Sequence, residues 1–230
     1  MDKRGRRILA VGVVLLLVGA WLIFNPGSYV PEVVEADGSA EVEGVLATEV
    51  LGRLKVAERA SREGYTRDQF GSGWGQIGGC DTRNVILKRD LTEVVLEGCL
   101  VMRGRLVDPY TAQVIDFVRG KGTSSAVQID HVVALSNAWG TGAQELDKAE
   151  RKALANDPLN LLAVDGPENM RKGDKDASEW LPPNTAFVCQ YVARQISVKY
   201  KYVLWVTAVE KKAMSRELEK CPNEVAIGVD

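Results

Sequence analysis

The stretch from Gln128 to Pro183 most constrains how this chain can fold, because it places the only histidine among short apolar runs. His131 and the preceding Asp130 separate the runs Ala126–Ile129 and Val132–Leu135. A later run, Leu159–Val164, ends at Asp165-Gly166-Pro167, a turn signal with proline placed to open a helix. Short apolar runs bounded by polar or glycine-rich residues are typical of strands. The stretch therefore predicts a strand, a long loop, a second strand and a helix.

The polar residues of this stretch resemble the site of the HNH endonucleases, a family built around a ββα-metal hairpin and helix. The resemblance rests on Asp130-His131 at the first strand, Asn160 at the second, and Asn169 with Lys172 at the helix start. The surrounding segments DHVVAL, NDPLNLLAVDG, NMRKGD and WLPP are similar to a subgroup of HNH-family proteins exported by Gram-positive bacteria. Looser similarity extends from about Gly44 to Cys221.

The resemblance implies a role for each of these residues. His131 would be the general base that activates water, and Asp130 and Asn169 would hold a divalent metal ion. Asn160 would brace the loop that carries His131. The implied activity is hydrolysis of phosphodiester bonds in DNA, with a ribonuclease or a non-catalytic exported binding domain as the alternatives.

Elementary chemistry agrees with these roles. Phosphodiester hydrolysis needs a base for the attacking water and a cation for the charge that develops on the phosphate. The oxygens of Asp130 and Asn169 suit Mg²⁺, or the similar ion Mn²⁺, and histidine titrates near neutral pH. The third residue of the HNH pattern is often histidine, but here it is Asn169, which favours an oxygen-preferring metal over Zn²⁺.

Each candidate also has an ordinary structural interpretation. A lone histidine beside an aspartate is more often hydrogen-bonded than catalytic. Arg171, Lys172 and Lys175 are either solvated helix charges or contacts for a substrate phosphate. Asp174 is interpreted as a helix N-cap, with a further metal ligand as the alternative.

The N-terminal segment, residues 1–24, has the features of a membrane anchor. Four basic residues precede Ile8–Phe24, a run of 17 residues without charge. That run is short for a spanning helix but long for the core of a signal peptide, and no cleavage site of the A-x-A kind follows it. We expect one transmembrane helix with the C-terminal domain outside the cell. The alternative is a secreted protein released by signal cleavage.

Residues 25–52 are predicted to be an acidic linker, residues 53–221 the HNH nuclease-like domain, and residues 222–230 a disordered tail. The chain has 29 Lys and Arg against 31 Asp and Glu. Four of the basic residues and one acid precede Ile8, and six acids lie in the linker, so residues 53–230 carry 25 bases and 24 acids. A nearly neutral domain does not coat DNA non-specifically, so nucleic-acid contact must be local. No protein partner is predicted.

The four cysteines are an even number in a chain expected to be exported, which favours disulfides over metal binding. Of the three possible connectivities, we prefer Cys80 with Cys99 and Cys189 with Cys221, because each joins neighbours within one subregion. Leu54, Ala57 and Ala60 have helical spacing, which predicts a short helix from Arg53 to about Glu63.

The sequence as a whole predicts one α+β domain. Its ββα-metal hairpin and helix lie among flanking helices, and one transmembrane helix precedes the domain. About 180 residues are enough for such a domain to have its own core.

Overall fold

The computed structural model describes residues 44–229. The expected membrane segment Ile8–Phe24 and residues 25–43 of the acidic linker lie outside the described residues. Within residues 44–229, none of the helices combines the length and the apolar character needed to cross a bilayer.

The described part of the chain is a mixed α+β domain, as predicted. Its helices, in chain order, are α1 (Ala47–Arg53), α2 (Thr82–Asp90), α3 (Leu135–Ala138), α4 (Lys148–Asn156), α5 (Gly166–Lys172), α6 (Val188–Lys201) and α7 (Ala208–Leu218). Its strands are β1 (Gln76–Ile77), β2 (Cys80–Asp81), β3 (Thr92–Glu97), β4 (Leu100–Val107), β5 (Val114–Val118), β6 (Val127–His131) and β7 (Leu161–Asp165). Among the described residues these strands pair antiparallel as β1-β2, β3-β4-β5 and β6-β7.

The β6-β7 pair lies between two parts of the hydrophobic core. Alternating residues of a strand point to opposite faces. Ile129 and Ala163 pack with α2 and the three-stranded sheet, whereas Leu162 and Val164 pack with the core of α1, α6 and α7. Both faces of this short pair are therefore covered, which fixes the end of β6 where His131 lies.

Both ends of the folded unit differ from the expected domain boundaries. Helix α1 lies inside the predicted linker, and its Ala47 and Val50 are fully buried. The predicted disordered tail is instead packed, because Ala226 donates its backbone N–H to Val45 and is itself buried. Apolar burial and backbone pairing thus join the two ends into one core.

The helix predicted for Arg53–Glu63 is wrong. Arg53 is the last residue of α1, and the chain after it is extended, because Lys55 O and Ala57 N form backbone hydrogen bonds with Val206. A backbone bridge to a distant segment replaces the i to i−4 hydrogen bonds that a helix there would make.

The structure contains the two preferred disulfides, Cys80–Cys99 and Cys189–Cys221. The first joins β2, which follows the glycine-rich segment 71–79, to the turn between β3 and β4. The second joins α6 to the residues after α7, and Cys221 packs against the main core.

Replacing Cys189 and Cys221 together by serine is expected to lower the free energy of unfolding by about 3–4 kcal/mol, the entropy of closing a loop of this size. Urea unfolding followed by tryptophan fluorescence measures the change. An unchanged midpoint in a variant with no Cys189–Cys221 bond would contradict a stabilising role.

Candidate active site

The β6-β7 pair and helix α5 bring the candidate residues together. Asp130 pairs with Leu162 and His131 with Leu161, so both candidates lie at the end of β6 beside the start of β7. Helix α5 follows β7 directly and packs against both strands. A Cβ at Gly166 would lie 2.1 Å from the Ser125 carbonyl oxygen, so only glycine permits this tight entry into the helix. Between β6 and β7 the chain forms α3 and α4, where the sequence predicted a long loop.

His131 is buried, with 7% of its surface exposed. Its Nε2 lies 2.9 Å from the carbonyl oxygen of Ala155, and its ring stacks on Trp74 with centroids 5.7 Å apart. A carbonyl oxygen only accepts hydrogen bonds, so Nε2 carries the proton in the neutral ring. Nδ1 is then the unprotonated nitrogen, and it has no hydrogen-bond partner among the described residues.

The surroundings of His131 favour the neutral imidazole. Burial lowers the pKa of His131 from its ordinary 6.5 to about 4. The hydrogen bond to Ala155 opposes this shift, and the nearby charges of Arg67 and Lys172 add to it. At neutral pH the ring can therefore accept a proton at Nδ1.

Asp130 is also buried and is held at both oxygens. Its Oδ1 accepts from Lys172 Nζ at 3.0 Å and its Oδ2 from the Tyr110 hydroxyl at 2.5 Å. Burial raises the pKa of the Asp130 carboxyl, whereas the Lys172 ammonium and the Tyr110 hydroxyl lower it. Each carboxylate oxygen accepts one of these hydrogen bonds and retains a further lone pair.

The basic residues of α5 are already engaged. Lys172 is fully buried, and its ammonium also donates to the His131 carbonyl at 2.9 Å. The predicted contact between Lys172 and a substrate phosphate is wrong for this conformation, because the charge is needed to neutralise Asp130. Arg171 is exposed and pairs with Glu168, and the exposed Lys175 donates to the Arg171 carbonyl at 2.5 Å.

Asp130, His131 and Asn169 line one cavity of about 380 Å³. Asn169 uses its Nδ2 to donate to Gln128 Oε1 at 2.9 Å, which leaves its side-chain oxygen as the available acceptor. Asp174 also lines this cavity, where it pairs with Arg62 and accepts from the Ser136 hydroxyl. It was predicted to cap a helix continuing to Trp180, which is wrong, because residues 174–184 form no helix.

These donors fit a hard divalent cation. Asp130 and Asn169 offer a carboxylate oxygen and an amide oxygen to the same cavity, and Mg²⁺ uses few protein ligands of this kind. The set has no thiolate and no second histidine, so it does not suit Zn²⁺. Elsewhere in residues 44–229, Cys189, Cys221 and Glu224 converge, but the two sulfurs are bonded to each other and are not thiolate ligands.

Asn160 contacts the chain immediately after His131. Its Oδ1 accepts from the Val133 backbone N–H at 2.8 Å, and its Nδ2 donates to the carbonyls of Val133 and Leu154. The Asn160 backbone carbonyl accepts from Val132 N at 2.8 Å. Asn160 itself is fully buried, just before β7 rather than within it. This geometry suits the brace that the resemblance implies, which stays a prediction.

Replacing Asn160 by alanine is expected to lower the free energy of unfolding by about 1–3 kcal/mol, since the buried Val133 N–H loses its acceptor. The exposed Asn223, which makes no side-chain hydrogen bond among the described residues, is the matched control. Asn223→Ala should change stability by less than about 0.5 kcal/mol. Equal urea midpoints for the two variants would exclude a bracing role for Asn160.

Three residues that contact the site were not predicted from the sequence. Trp74 comes from the glycine-rich segment, Tyr110 precedes β5, and Gln128 lies on β6 two residues before Asp130. The alternation of strand side chains could have identified Gln128, because residues two apart share a face. Trp74 and Tyr110 are remote in sequence, and nothing in their local pattern indicates a contact with the site.

Comparison with known proteins identifies relatives of this chain. A family model described as "GmrSD restriction endonucleases, C-terminal domain" matches residues 81–217, and it is a domain of the HNH or ββα-metal type. A protein from the fungus Arthroderma benhamiae, named "Uncharacterized secreted protein", is 38% identical over 179 residues, which cover 76% of this chain and 84% of the fungal protein. No solved structure matches.

Proposed function

We propose a nuclease function on one premise: the chain belongs to the family of GmrSD restriction endonuclease C-terminal domains. The proposed activity is metal-dependent hydrolysis of phosphodiester bonds, with DNA as the preferred polymer over RNA. The observation that carries this proposal is the hydrogen bonding of the two ring nitrogens of His131. Its Nε2 is held by a carbonyl oxygen and its Nδ1 is unpartnered among the described residues, at a cavity that Asp130 and Asn169 also line.

In the proposed reaction, His131 Nδ1 takes a proton from the attacking water. The hydrogen bond to Ala155 and the stack on Trp74 hold the ring in one orientation, so no rotation is needed when the proton arrives. Lys172 and Tyr110 keep the Asp130 carboxylate in place as a ligand. Asp130 and Asn169 would hold the cation, and Gln128 would orient the Asn169 amide.

A divalent cation, Mg²⁺ or Mn²⁺, would neutralise the charge on the phosphate and on the departing oxygen. Departure of the 3′ oxygen leaves a 5′-phosphate end on the product. Because the ligands of Mg²⁺ and Mn²⁺ are similar, both ions should support cleavage.

We also propose that the protein acts outside the cell. Both disulfides favour an oxidising compartment, and the similar fungal protein is named as secreted. Attachment to the membrane through Ile8–Phe24 remains the sequence-based expectation for the segment outside the described residues.

A cleavage panel tests the proposal. The full chain, with both disulfides formed, is incubated with supercoiled plasmid, linear duplex DNA, single-stranded DNA and RNA, in Mg²⁺, Mn²⁺, Zn²⁺ or EDTA. Cutting is expected in Mg²⁺ and Mn²⁺ and not in EDTA, and Asn169→Ala should abolish it while the control Asn223→Ala retains it. Sequencing of the product ends should find 5′-phosphates. Intact polymers under every condition with folded protein would contradict the proposal.

A further inference from the structure

Arg67 lies at the edge of the site, in a short helix whose backbone is held by packing and hydrogen bonding. It opens a short 3₁₀ helix, Arg67–Phe70, that precedes the family match. Phe70 is buried and packs edge-on against Trp139, and the Gln69 carbonyl accepts from Arg151 on α4 at 3.0 Å. The backbone beside Arg67 is therefore tied to a buried cluster that includes Phe70, Trp139 and Leu154, while the Arg67 side chain remains exposed.

The position of Arg67 relative to His131 is defined by two cavities. Arg67 and His131 both line the cavity of about 380 Å³ that contains Asp130 and Asn169. Both also line a second cavity, of about 180 Å³, beside Trp74.

Arg67 differs from its arginine neighbours in having no partner. Arg59 pairs with Asp176 at 2.7 Å, and Arg62 pairs with Asp174 at 2.9 Å. Within residues 44–229, no carboxylate, carbonyl or hydroxyl accepts a hydrogen bond from the Arg67 guanidinium. In the cavity of about 380 Å³ the acids are already paired, Asp130 with Lys172 and Asp174 with Arg62. Asp68 lines the cavity of about 180 Å³ and forms no ion pair with Arg67.

We propose that Arg67 binds a phosphate of the nucleic-acid strand that is cut at His131. A guanidinium is planar and always charged, and it donates two parallel hydrogen bonds to a phosphate. This assignment rests on the proposed nuclease function and names the substrate contact of the same site. It gives Arg67 the role that the sequence assigned to Arg171, Lys172 and Lys175. Those three pair instead with Glu168, with Asp130 and with the Arg171 carbonyl, respectively.

The test compares Arg67→Ala and Arg67→Lys with a matched control, Arg103→Ala. Arg103 is also exposed, lies on β4, has no side-chain partner among the described residues and lines neither cavity. Binding of a fluorescent 20-nucleotide duplex is measured by anisotropy in EDTA at several salt concentrations, using the full chain. The same variants are assayed for KM and kcat in Mg²⁺.

Arg67→Ala is expected to weaken metal-free binding about tenfold and to reduce the slope of log K against log salt by roughly 1. Arg67→Lys should retain the slope but lose part of the affinity, because an ammonium lacks the planar fork. Arg103→Ala should match the wild type. Equal binding by Arg67→Ala and wild type, or equal losses in Arg67→Ala and Arg103→Ala, would overturn the proposal.

Metal-free binding and cleavage, measured separately, distinguish failure of the Arg67 contact from failure of the nuclease function. A wild type that binds through Arg67 but cuts nothing would overturn the nuclease function and support the phosphate contact. If Arg67→Ala cuts as well as the wild type, the phosphate contact is overturned and the nuclease function stands. A wild type that neither binds nor cuts would overturn both.

Discussion

Replacing His131 by alanine is expected to lower kcat for phosphodiester cleavage by about 10²–10⁴, the usual contribution of a positioned general base. The loss should appear in kcat more than in KM, because Nδ1 acts on the attacking water and not on the bound strand. Cleavage of a labelled duplex in Mg²⁺ under saturating and subsaturating substrate measures both constants. Circular dichroism and the thermal midpoint establish that the variant is folded.

Added imidazole distinguishes the loss of a general base from the loss of the folded site in His131→Ala. Removal of the His131 ring would open space next to the cavity of about 180 Å³ beside Trp74, where free imidazole could enter and take the proton. Imidazole should therefore restore part of the rate of His131→Ala and leave Asn169→Ala inactive. Wild-type rates in His131→Ala without imidazole would exclude His131 as the base.

Replacing Lys172 by methionine is expected to lower the free energy of unfolding by about 3–5 kcal/mol. Methionine fills similar space but leaves Asp130 as a buried carboxylate with Tyr110 as its remaining side-chain donor, and it leaves the His131 carbonyl without its partner. Urea unfolding at pH 7 measures the change. Lys175→Met, at an exposed position three residues away, should change stability by less than about 0.5 kcal/mol.

A double-mutant cycle isolates the buried ion pair. Asp130→Asn removes the charge that Lys172 neutralises, so Asp130→Asn with Lys172→Met should cost less than the sum of the two single variants. The coupling free energy is expected to be about 1–3 kcal/mol. A Lys172→Met variant within 1 kcal/mol of the wild type, or strictly additive single changes, would contradict a structural pairing between Lys172 and Asp130.

The local arrangement of the site was predictable because its residues lie within one contiguous stretch. Antiparallel pairing of the two short runs and a helix opened at Gly166-Pro167 bring His131, Asp130 and Asn169 to one cavity. The spacing along the chain determines this geometry. The disulfides followed from the count and proximity of the cysteines, and the structure has the preferred pairs.

The remaining features depend on contacts between distant segments. The sequence predicted Lys172 to be a solvated helix charge or a phosphate contact, but the last turn of α5 points it at Asp130, where burial and pairing decide its role. The extended segment after α1 is set by backbone hydrogen bonds to Val206, which no local pattern encodes. Trp74 lies in the glycine-rich segment 71–79 and stacks on His131, a contact that its local sequence does not indicate. Tertiary contacts override local propensity at each of these positions.

Plasmid nicking under single-turnover conditions decides whether this site hydrolyses nucleic acid with a divalent cation. The full chain, in excess over supercoiled DNA, is stripped with EDTA, divided, and supplied with Mg²⁺ in one half only. Supercoiled DNA is expected to become nicked and linear in the Mg²⁺ half and to stay intact in the other. Intact DNA in both halves, with folded protein and with RNA and single-stranded DNA equally resistant, would contradict the nuclease function.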